Sequence, residues 1–146
     1  MKKENEITFI FDSCSENEGL ARTVLAAFIA RLDPTLGELS DVKTAVSEAV
    51  TNAVIHGYEG KEGKITIHSR IEGNTVSIEV SDQGVGIPDI TKAMEPLYTS
   101  KPEMERSGMG FAFMEAFMDD LEVVSTEGEG TTVKMRKTIY SALNLS

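Results

Sequence analysis

The sequence has little cysteine and comparatively little basic charge, and both shortages exclude classes of function. Cys14 is the single cysteine among 146 residues, so no internal disulfide can form. The sequence has 14 basic and 24 acidic residues, and the resulting formal charge of −10 repels nucleic acid phosphates and anionic membrane surfaces. We therefore expect no direct nucleic acid binding and no membrane binding.

Long apolar runs are also missing. No stretch is long enough to cross a bilayer, and the N-terminal "MKKENEITFIF" lacks the apolar core of a signal peptide. A chain of 146 residues, 40% of them hydrophobic, suits one compact domain with a substantial core. We expect a single domain over 1–146 and a cytoplasmic location.

Helical periodicity predicts two long consecutive helices in the first half of the chain. Each begins with a capping box, formed by Ser15 and Glu18 in the first helix and by Thr35 and Glu38 in the second. The apolar stripe of the first helix is predicted to be buried, and it consists of Leu20, Val24, Phe28 and Leu32 with Ala21, Leu25 and Ile29 beside them. Gly57 is predicted to end the second helix in the left-handed conformation.

Strands with alternating apolar residues surround these helices, and one further helix opens at "GMGF". The predicted strands are 7–11, 64–71, 75–82, 121–126 and 131–139. The order β-α-α-β-β-α-β-β predicts an α+β fold. We expect a two-layer sandwich in which one mixed, mostly antiparallel sheet is covered on one face by helices.

A glutamate and an asparagine stand one turn apart on the second helix. Glu48 and Asn52 fall together outside the apolar cluster of that helix, so both side chains can reach the same object. Ile55 shares the Glu48 side, which indicates that this face looks into a cavity rather than into solvent.

Two glycine-containing segments follow. In "SDQGVGIP", Asp82 ends a strand and can accept hydrogen bonds from an amino group, while Gly84 and Gly86 allow a ligand to approach the backbone. In "SGMGF", Gly108 and Gly110 open a helix whose free N–H groups suit a phosphate. The segment between them, about 87–107, has no sustained periodicity and is predicted to be a functional lid.

Taken in order, these three features resemble the nucleotide-binding boxes of the GHKL ATPases, which share the Bergerat ATP-binding fold. The resemblance implies binding of ATP or ADP with Mg²⁺. By the same resemblance, Asn52 would coordinate Mg²⁺ and Glu48 would be the general base. Asp82 would accept a hydrogen bond from the adenine amino group, with Thr131 supporting it.

The resemblance also implies roles for lid residues. Arg106 would neutralise charge on the transferring phosphoryl group as a second catalytic residue. The remaining implied nucleotide contacts are Gly84, Gly86, Lys101, Ser107, Gly108, Met109 and Gly110.

The chain has no room for the transducer domain of several GHKL branches, and the stretches 32–58 and 84–119 closely resemble the stand-alone serine kinase and anti-sigma branch. This implies a protein that binds and inhibits a sporulation sigma factor and, with Mg-ATP, phosphorylates a serine of an anti-anti-sigma protein. It also implies a homodimer. Arg22, on the first helix beside its apolar stripe, resembles the family's partner-contacting arginine.

Three other functions stay open at this point: a stress-response anti-sigma kinase, a binding module gated by ATP without kinase activity, and a detached histidine kinase domain. The last has little support, because neither His56 nor His68 lies in a helix typical of a phosphoacceptor. His68 is expected to be simply exposed on the polar side of its strand.

Overall fold

The computed structural model describes residues 4–94 and 110–140, and it confirms the predicted α+β class. One five-stranded sheet is covered on one face by helices, and every described strand pairing is antiparallel. The elements in chain order are β1 (Glu4–Asp12), α1 (Glu16–Ile29), α2 (Leu36–Asn52), β2 (Lys64–Glu72), β3 (Thr75–Asp82), α3 (Ile90–Ala93), α4 (Gly110–Phe117), β4 (Asp120–Thr126) and β5 (Gly130–Thr138).

The strand order is β1-β2-β3-β5-β4, so β5 lies between β3 and β4. Alternation determines the two faces, as the sequence predicted: every second residue of the central strands points at the helices and is buried. These inward residues include Ile65, Ile67, Ile71, Val76, Ile78 and Val80. The register of β3 with β5 places Asp82 opposite Thr131.

The helices bury the expected stripes with one exception. In α2 the buried residues are Val42, Ala45, Val46, Ala49 and Val50, which leaves Glu48 and Asn52 on a less buried side. In α1, Ala21, Leu25 and Ile29 are buried, whereas Leu20 at the edge of the stripe is 51% exposed.

Only one of the two predicted capping boxes forms. The Thr35 hydroxyl accepts from the Glu38 N–H at 3.1 Å, and the Glu38 carboxylate accepts from the Thr35 N–H at 2.9 Å. The prediction for Ser15 is wrong. Its backbone is already helical, with φ −61° and ψ −30°, and its side chain makes no capping hydrogen bond.

The prediction that Gly57 ends α2 in the left-handed conformation is also wrong. The α-helix ends at Asn52 and continues as a π-helical turn, Ala53–Gly57, and Gly57 does not have a positive φ. The left-handed residues come later, at Glu59 (φ 56°) and Gly60 (φ 77°). A π turn inserts an extra residue, and such turns are frequent at functional sites.

The described part of the predicted lid contains only the short helix α3, and the rest of it lies outside the described residues. Across the described chain, no helix combines the length and apolar character needed to cross a membrane.

Candidate active site

Glu48 and Asn52 meet at the first residue of α4. A Cβ placed on Gly110 would lie 3.2 Å from the Glu48 Oε2 and 3.2 Å from the Asn52 Nδ2. Both side chains of α2 therefore point at the N-terminus of α4, where the sequence predicted a phosphate-binding helix start. Because Gly110 lacks a side chain, the carboxylate, the amide and the helix N-terminus come together.

The side-chain amide of Asn52 is a candidate ligand contact, because its nitrogen has a hydrogen-bond donor left unused within residues 4–94 and 110–140. Its Nδ2 is buried and has no hydrogen-bond partner among the described residues. An unpaired buried amide is costly, so it indicates a group that completes the site. The amide nitrogen suits a phosphate oxygen, and the amide oxygen suits a hard cation such as Mg²⁺.

The donor set also fits Mg²⁺ bound together with a nucleotide. Residues 4–94 and 110–140 contain no group of three or more His, Cys, Asp or Glu side chains that could hold a metal ion by itself. Mg²⁺ usually takes one or two protein oxygens and completes its shell with water and substrate phosphates. Asn52 beside a helix N-terminus matches that mode of binding.

Asp82 forms the second half of the site, at the end of β3. Its Oδ1 accepts from the Gly84 N–H at 2.9 Å. Burial raises the pKa of the Asp82 carboxyl above its ordinary value, and backbone hydrogen bonds from Gly84 and Thr131 partly oppose that rise. A half-buried carboxylate held by backbone donors is a rigid acceptor, which suits the amino group of a base such as adenine.

Glycines let three segments close around Asp82. A Cβ on Gly57 would come within 2.8 Å of the Asp82 carboxylate, and a Cβ on Gly84 would overlap the Gly57 carbonyl. Gly130, with φ +105°, packs on the Asp82 backbone, and Gly86, with φ +77°, packs on the Thr126 carbonyl. The predicted Gly84 and Gly86 therefore shape the site by permitting close backbone approach.

Thr131 lies on β5 beside Asp82, as the sequence predicted. Its side chain is 8% exposed, and its hydroxyl contacts the Ser125 hydroxyl at 2.8 Å. The Ser125 hydroxyl in turn accepts from the Ile87 N–H at 2.7 Å. Through Ser125, the Thr131 side of the site is connected to the first residue of the predicted lid.

A polar groove of about 550 Å³ lies between α1 and α2 and reaches Glu48. Arg22 lines it and forms an ion pair with Glu18 at 3.4 Å. The Ser47 hydroxyl, also in the lining, is buried without a partner in the described chain. The full lining consists of Glu18, Arg22, Leu36, Leu39, Ser40, Lys43, Thr44, Ser47 and Glu48.

The structure thus brings together Glu48, Asn52 and Gly110 at one end, and Asp82, Gly84, Gly86 and Thr131 at the other. Arg22 lies on the groove that leads to Glu48. The other predicted site residues lie outside the described residues: Lys101, Arg106, Ser107, Gly108 and Met109.

Sequence reasoning missed several residues of this site. Gly57 was assigned only to a helix end, and Gly130 and Ser125 only to a hairpin, although each packs on or bonds to a site residue. Gly130 immediately precedes Thr131, so the glycine before a site threonine was an available signal. The bond of Ser125 to the Ile87 N–H had no local signal, because these two residues are 38 positions apart along the chain.

The known proteins most informative for this chain are curated bacterial proteins with nearly the same length. The chain is 59% identical over 141 residues to an anti-sigma F factor of Thermoanaerobacter sp., covering 97% of this chain and 99% of that protein. It is 58% identical to the anti-sigma F factor of Clostridium acetobutylicum, over 92% of this chain and 94% of that one. The anti-sigma F factor of a Clostridium botulinum strain is 60% identical over the same shares of the two chains.

Solved structures share the fold at low sequence identity. A crystal structure of RsbU and RsbW domains from Mycobacterium tuberculosis superposes with a TM-score of 0.65 and 20% identity, covering 92% of this chain and 32% of that one. The histidine kinase domain of a blue-light activated histidine kinase from Erythrobacter litoralis gives a TM-score of 0.56 and 19% identity, covering 88% of this chain and 64% of that one.

The family of histidine kinase-like ATPase domains matches residues 12–137, a span that contains both halves of the site. Glu48 and Asn52 on α2, the strand-end Asp82 and the strands β2, β3 and β4 all lie within it. The chain belongs to the family of histidine kinase-like ATPase domains.

Proposed function

We propose that this protein is an anti-sigma factor with protein serine kinase activity. It binds and inhibits a sporulation sigma factor and, with Mg-ATP, phosphorylates a serine of an anti-anti-sigma protein. The observation that carries the kinase half is the position of Glu48. Its side chain lines the groove between α1 and α2 and also faces Asn52 and Gly110 at the start of α4.

Glu48 acts as the general base. A serine side chain entering from the groove places its hydroxyl beside Glu48, which takes the proton as the serine oxygen forms its bond to the γ-phosphorus and ADP leaves. Mg-ATP supplies the transferred phosphoryl group. Asn52 holds the phosphate and cation end of the nucleotide through its unsatisfied amide, and the α4 N-terminus adds backbone donors.

Asp82 selects the base at the other end of the site. Its carboxylate accepts from the adenine amino group, while Thr131 and Ser125 fix the adjoining wall. The glycines at this end keep the backbone close enough to exclude water from the bond to the base. Base recognition and phosphoryl transfer are thus assigned to separate groups of residues.

The sigma factor partner is assigned from three relatives that are each named anti-sigma F factor, and the anti-anti-sigma substrate follows from the resemblance to the stand-alone serine kinase branch. Arg22 and the α1–α2 groove are the proposed docking surface, because this groove leads to the catalytic glutamate. The formal charge of −10 complements a basic, DNA-binding partner. We also propose that the protein is cytoplasmic and forms a homodimer.

The experiment is phosphoryl transfer from γ-labelled ATP in the presence of Mg²⁺ and an extract of the source cells. We expect acid-stable label on one small polypeptide, since phosphoserine survives acid whereas phosphohistidine does not. Glu48→Gln keeps the size and hydrogen-bonding capacity of the side chain but removes the base. It should lower transfer by at least about 100-fold and leave ATP affinity within about twofold.

Glu122→Gln is the matched control, because Glu122 is exposed on β4 and belongs to the sheet face away from the helices. Its transfer rate should equal that of the wild type. Equal transfer by Glu48→Gln would remove the general-base assignment. Tight ATP binding with no labelled product would favour the ATP-gated binding module, and acid-labile label would favour a histidine kinase domain.

A further inference from the structure

The turn after α2 brings one tyrosine against the base-recognition end of the site. Within the π turn, the Tyr58 N–H donates to the Ala53 carbonyl at 2.9 Å. The Tyr58 ring then lies so close to Gly63 that a Cβ there would overlap it. The extra residue of the π turn and the missing side chain of Gly63 together fix the direction of this ring.

The Tyr58 hydroxyl joins two other segments. It donates to the Lys64 carbonyl at 2.6 Å and accepts from the Gln83 N–H at 2.8 Å. Lys64 begins β2, and Gln83 is the residue directly after Asp82. One hydroxyl therefore holds the backbone next to the carboxylate that the proposed function assigns to adenine.

The residue before Tyr58 holds the same loop from the other side. The Gly57 carbonyl accepts from the Val85 N–H at 2.9 Å, and Gly57 packs on the Asp82 carboxylate. The loop after Asp82 is thus bonded at Gln83 and at Val85, on either side of the Gly84 N–H that bonds the carboxylate itself. The end of α2 determines where this carboxylate points.

We propose that Tyr58 is a positioning residue for base recognition, acting through Asp82 by the hydrogen bond from the Gln83 N–H to its hydroxyl. This inference rests on the proposed function, in which Asp82 accepts from the adenine amino group. Because α2 also carries Glu48 and Asn52, the same turn sets the distance between the phosphate end and the base end of the site.

The test compares two nucleotides that differ only in that amino group. Purine riboside triphosphate has hydrogen where ATP has the amino group, so the ratio of its Kd to that of ATP reports the bond to Asp82. Tyr58→Phe keeps the ring and removes the hydroxyl, leaving the Gln83 N–H and the Lys64 carbonyl without this partner. We expect ATP affinity to fall by about three- to tenfold, with purine riboside triphosphate affinity nearly unchanged.

Calorimetric Kd values for Tyr58→Phe, Asp82→Asn and the double variant complete a cycle. If Tyr58 acts through Asp82, the tyrosine change should have no further effect on the ratio in the Asp82→Asn background. Tyr140→Phe is the matched control, because Tyr140 is 53% exposed and follows the end of β5 opposite to Thr131; its ratio should equal that of the wild type.

A measurement on the wild-type chain covers the case in which Tyr58→Phe does not fold. Hydrogen exchange at the Gln83 amide should slow more with saturating ATP than with saturating purine riboside triphosphate, because only ATP engages the carboxylate beside it. Equal slowing by both nucleotides would overturn the inference.

The binding results separate this inference from the proposed function. Equal losses for both nucleotides in Tyr58→Phe, or no loss, overturn the inference and leave the Asp82 assignment intact. An Asp82→Asn variant that still prefers ATP as strongly as the wild type removes the Asp82 assignment and, with it, the inference built on that assignment.

Discussion

At the scale of single residues, Gly110 is a position at which the backbone would accept a side chain but the candidate site would not. It is buried at the first position of α4, and its backbone does not have a positive φ. Alanine is therefore compatible with the local backbone and is the better helix former. A Cβ at this position, however, would lie 3.2 Å from both Glu48 and Asn52, which is closer than ordinary packing.

We predict that Gly110→Ala leaves the free energy of urea unfolding unchanged or slightly raised but lowers phosphoryl transfer by about tenfold or more. The added methyl group displaces Glu48, the proposed general base, and the Asn52 amide by a few tenths of an ångström, and catalysis is sensitive to such shifts. Gly37→Ala is the control, because among residues 4–94 and 110–140 its Cβ would come within 4 Å of the Thr35 hydroxyl alone, at 3.9 Å. Full transfer activity in Gly110→Ala would contradict the geometry given for the site.

The sequence indicated which side chains of the candidate site lie together on α2, but it did not indicate which residues surround Asp82. Glu48 and Asn52 are one turn apart on one helix, so local periodicity sufficed to place them together. The surroundings of Asp82 were not predictable in this way. Gly57 and the neighbouring residues Gly130 and Thr131 reach it from two separate segments, and only the π turn and the pairing of β3 with β5 bring them there.

At the scale of secondary structure elements, the two capping sequences show that a capping box forms only where the N-cap residue has an extended backbone. Thr35 has an extended backbone, with φ −65° and ψ 164°, which directs its hydroxyl at the Glu38 N–H. Ser15 has a helical backbone, and its side chain makes no capping bond. The two sequences carry the same spacing, so sequence alone could not distinguish them.

We predict that Thr35→Ala lowers the free energy of unfolding by about 1 kcal/mol, the usual loss for an N-cap. Ser15→Ala is the matched control and should change stability by less than about 0.5 kcal/mol, as is usual for surface substitutions. Urea denaturation followed by circular dichroism measures both. Equal losses in the two variants would contradict the assignment of the functioning cap to Thr35.

The order of the strands illustrates a further limit of sequence patterns. Alternation located the strands and their inward faces, and it left the short "EGEG" segment between β4 and β5, which pair as a hairpin. It did not indicate which strand of that hairpin pairs with β3. β5 takes that position and brings Thr131 opposite Asp82, so the sheet topology itself assembles part of the site.

At the scale of the whole molecule, the sheet face away from the helices is a network of charges that connects distant strands. His68 on β2 lies between Glu6 on β1, 2.9 Å from Nε2, and Glu79 on β3, 3.4 Å from Nδ1. Lys134 on β5 approaches Glu79 from its other side at 4.0 Å. The expectation that His68 is simply exposed is therefore wrong, because both ring nitrogens face carboxylates.

This arrangement makes the stability of the fold depend on pH. The hydrogen bond to Glu6, assisted by Glu79, raises the pKa of His68 above its usual value despite some opposing desolvation. The folded protein then holds this proton more tightly than the unfolded chain does. The contribution to stability is complete below the unfolded pKa of about 6.5 and is lost as pH rises through the folded pKa.

We predict that the free energy of unfolding, measured by urea denaturation between about pH 6 and 8.5, decreases with rising pH more steeply in the wild type than in His68→Gln. Glutamine can still bridge the two strands by hydrogen bonds but cannot titrate. The difference between the two proteins therefore reports the effect of the His68 imidazole alone, since His56 and the carboxyl groups are present in both. The difference should be largest at the acidic end and shrink toward the basic end, because the neutral ring no longer donates to both carboxylates. A difference that stays constant over this range would show that His68 contributes packing alone, and a difference that grows with pH would reverse the direction assigned to its pKa.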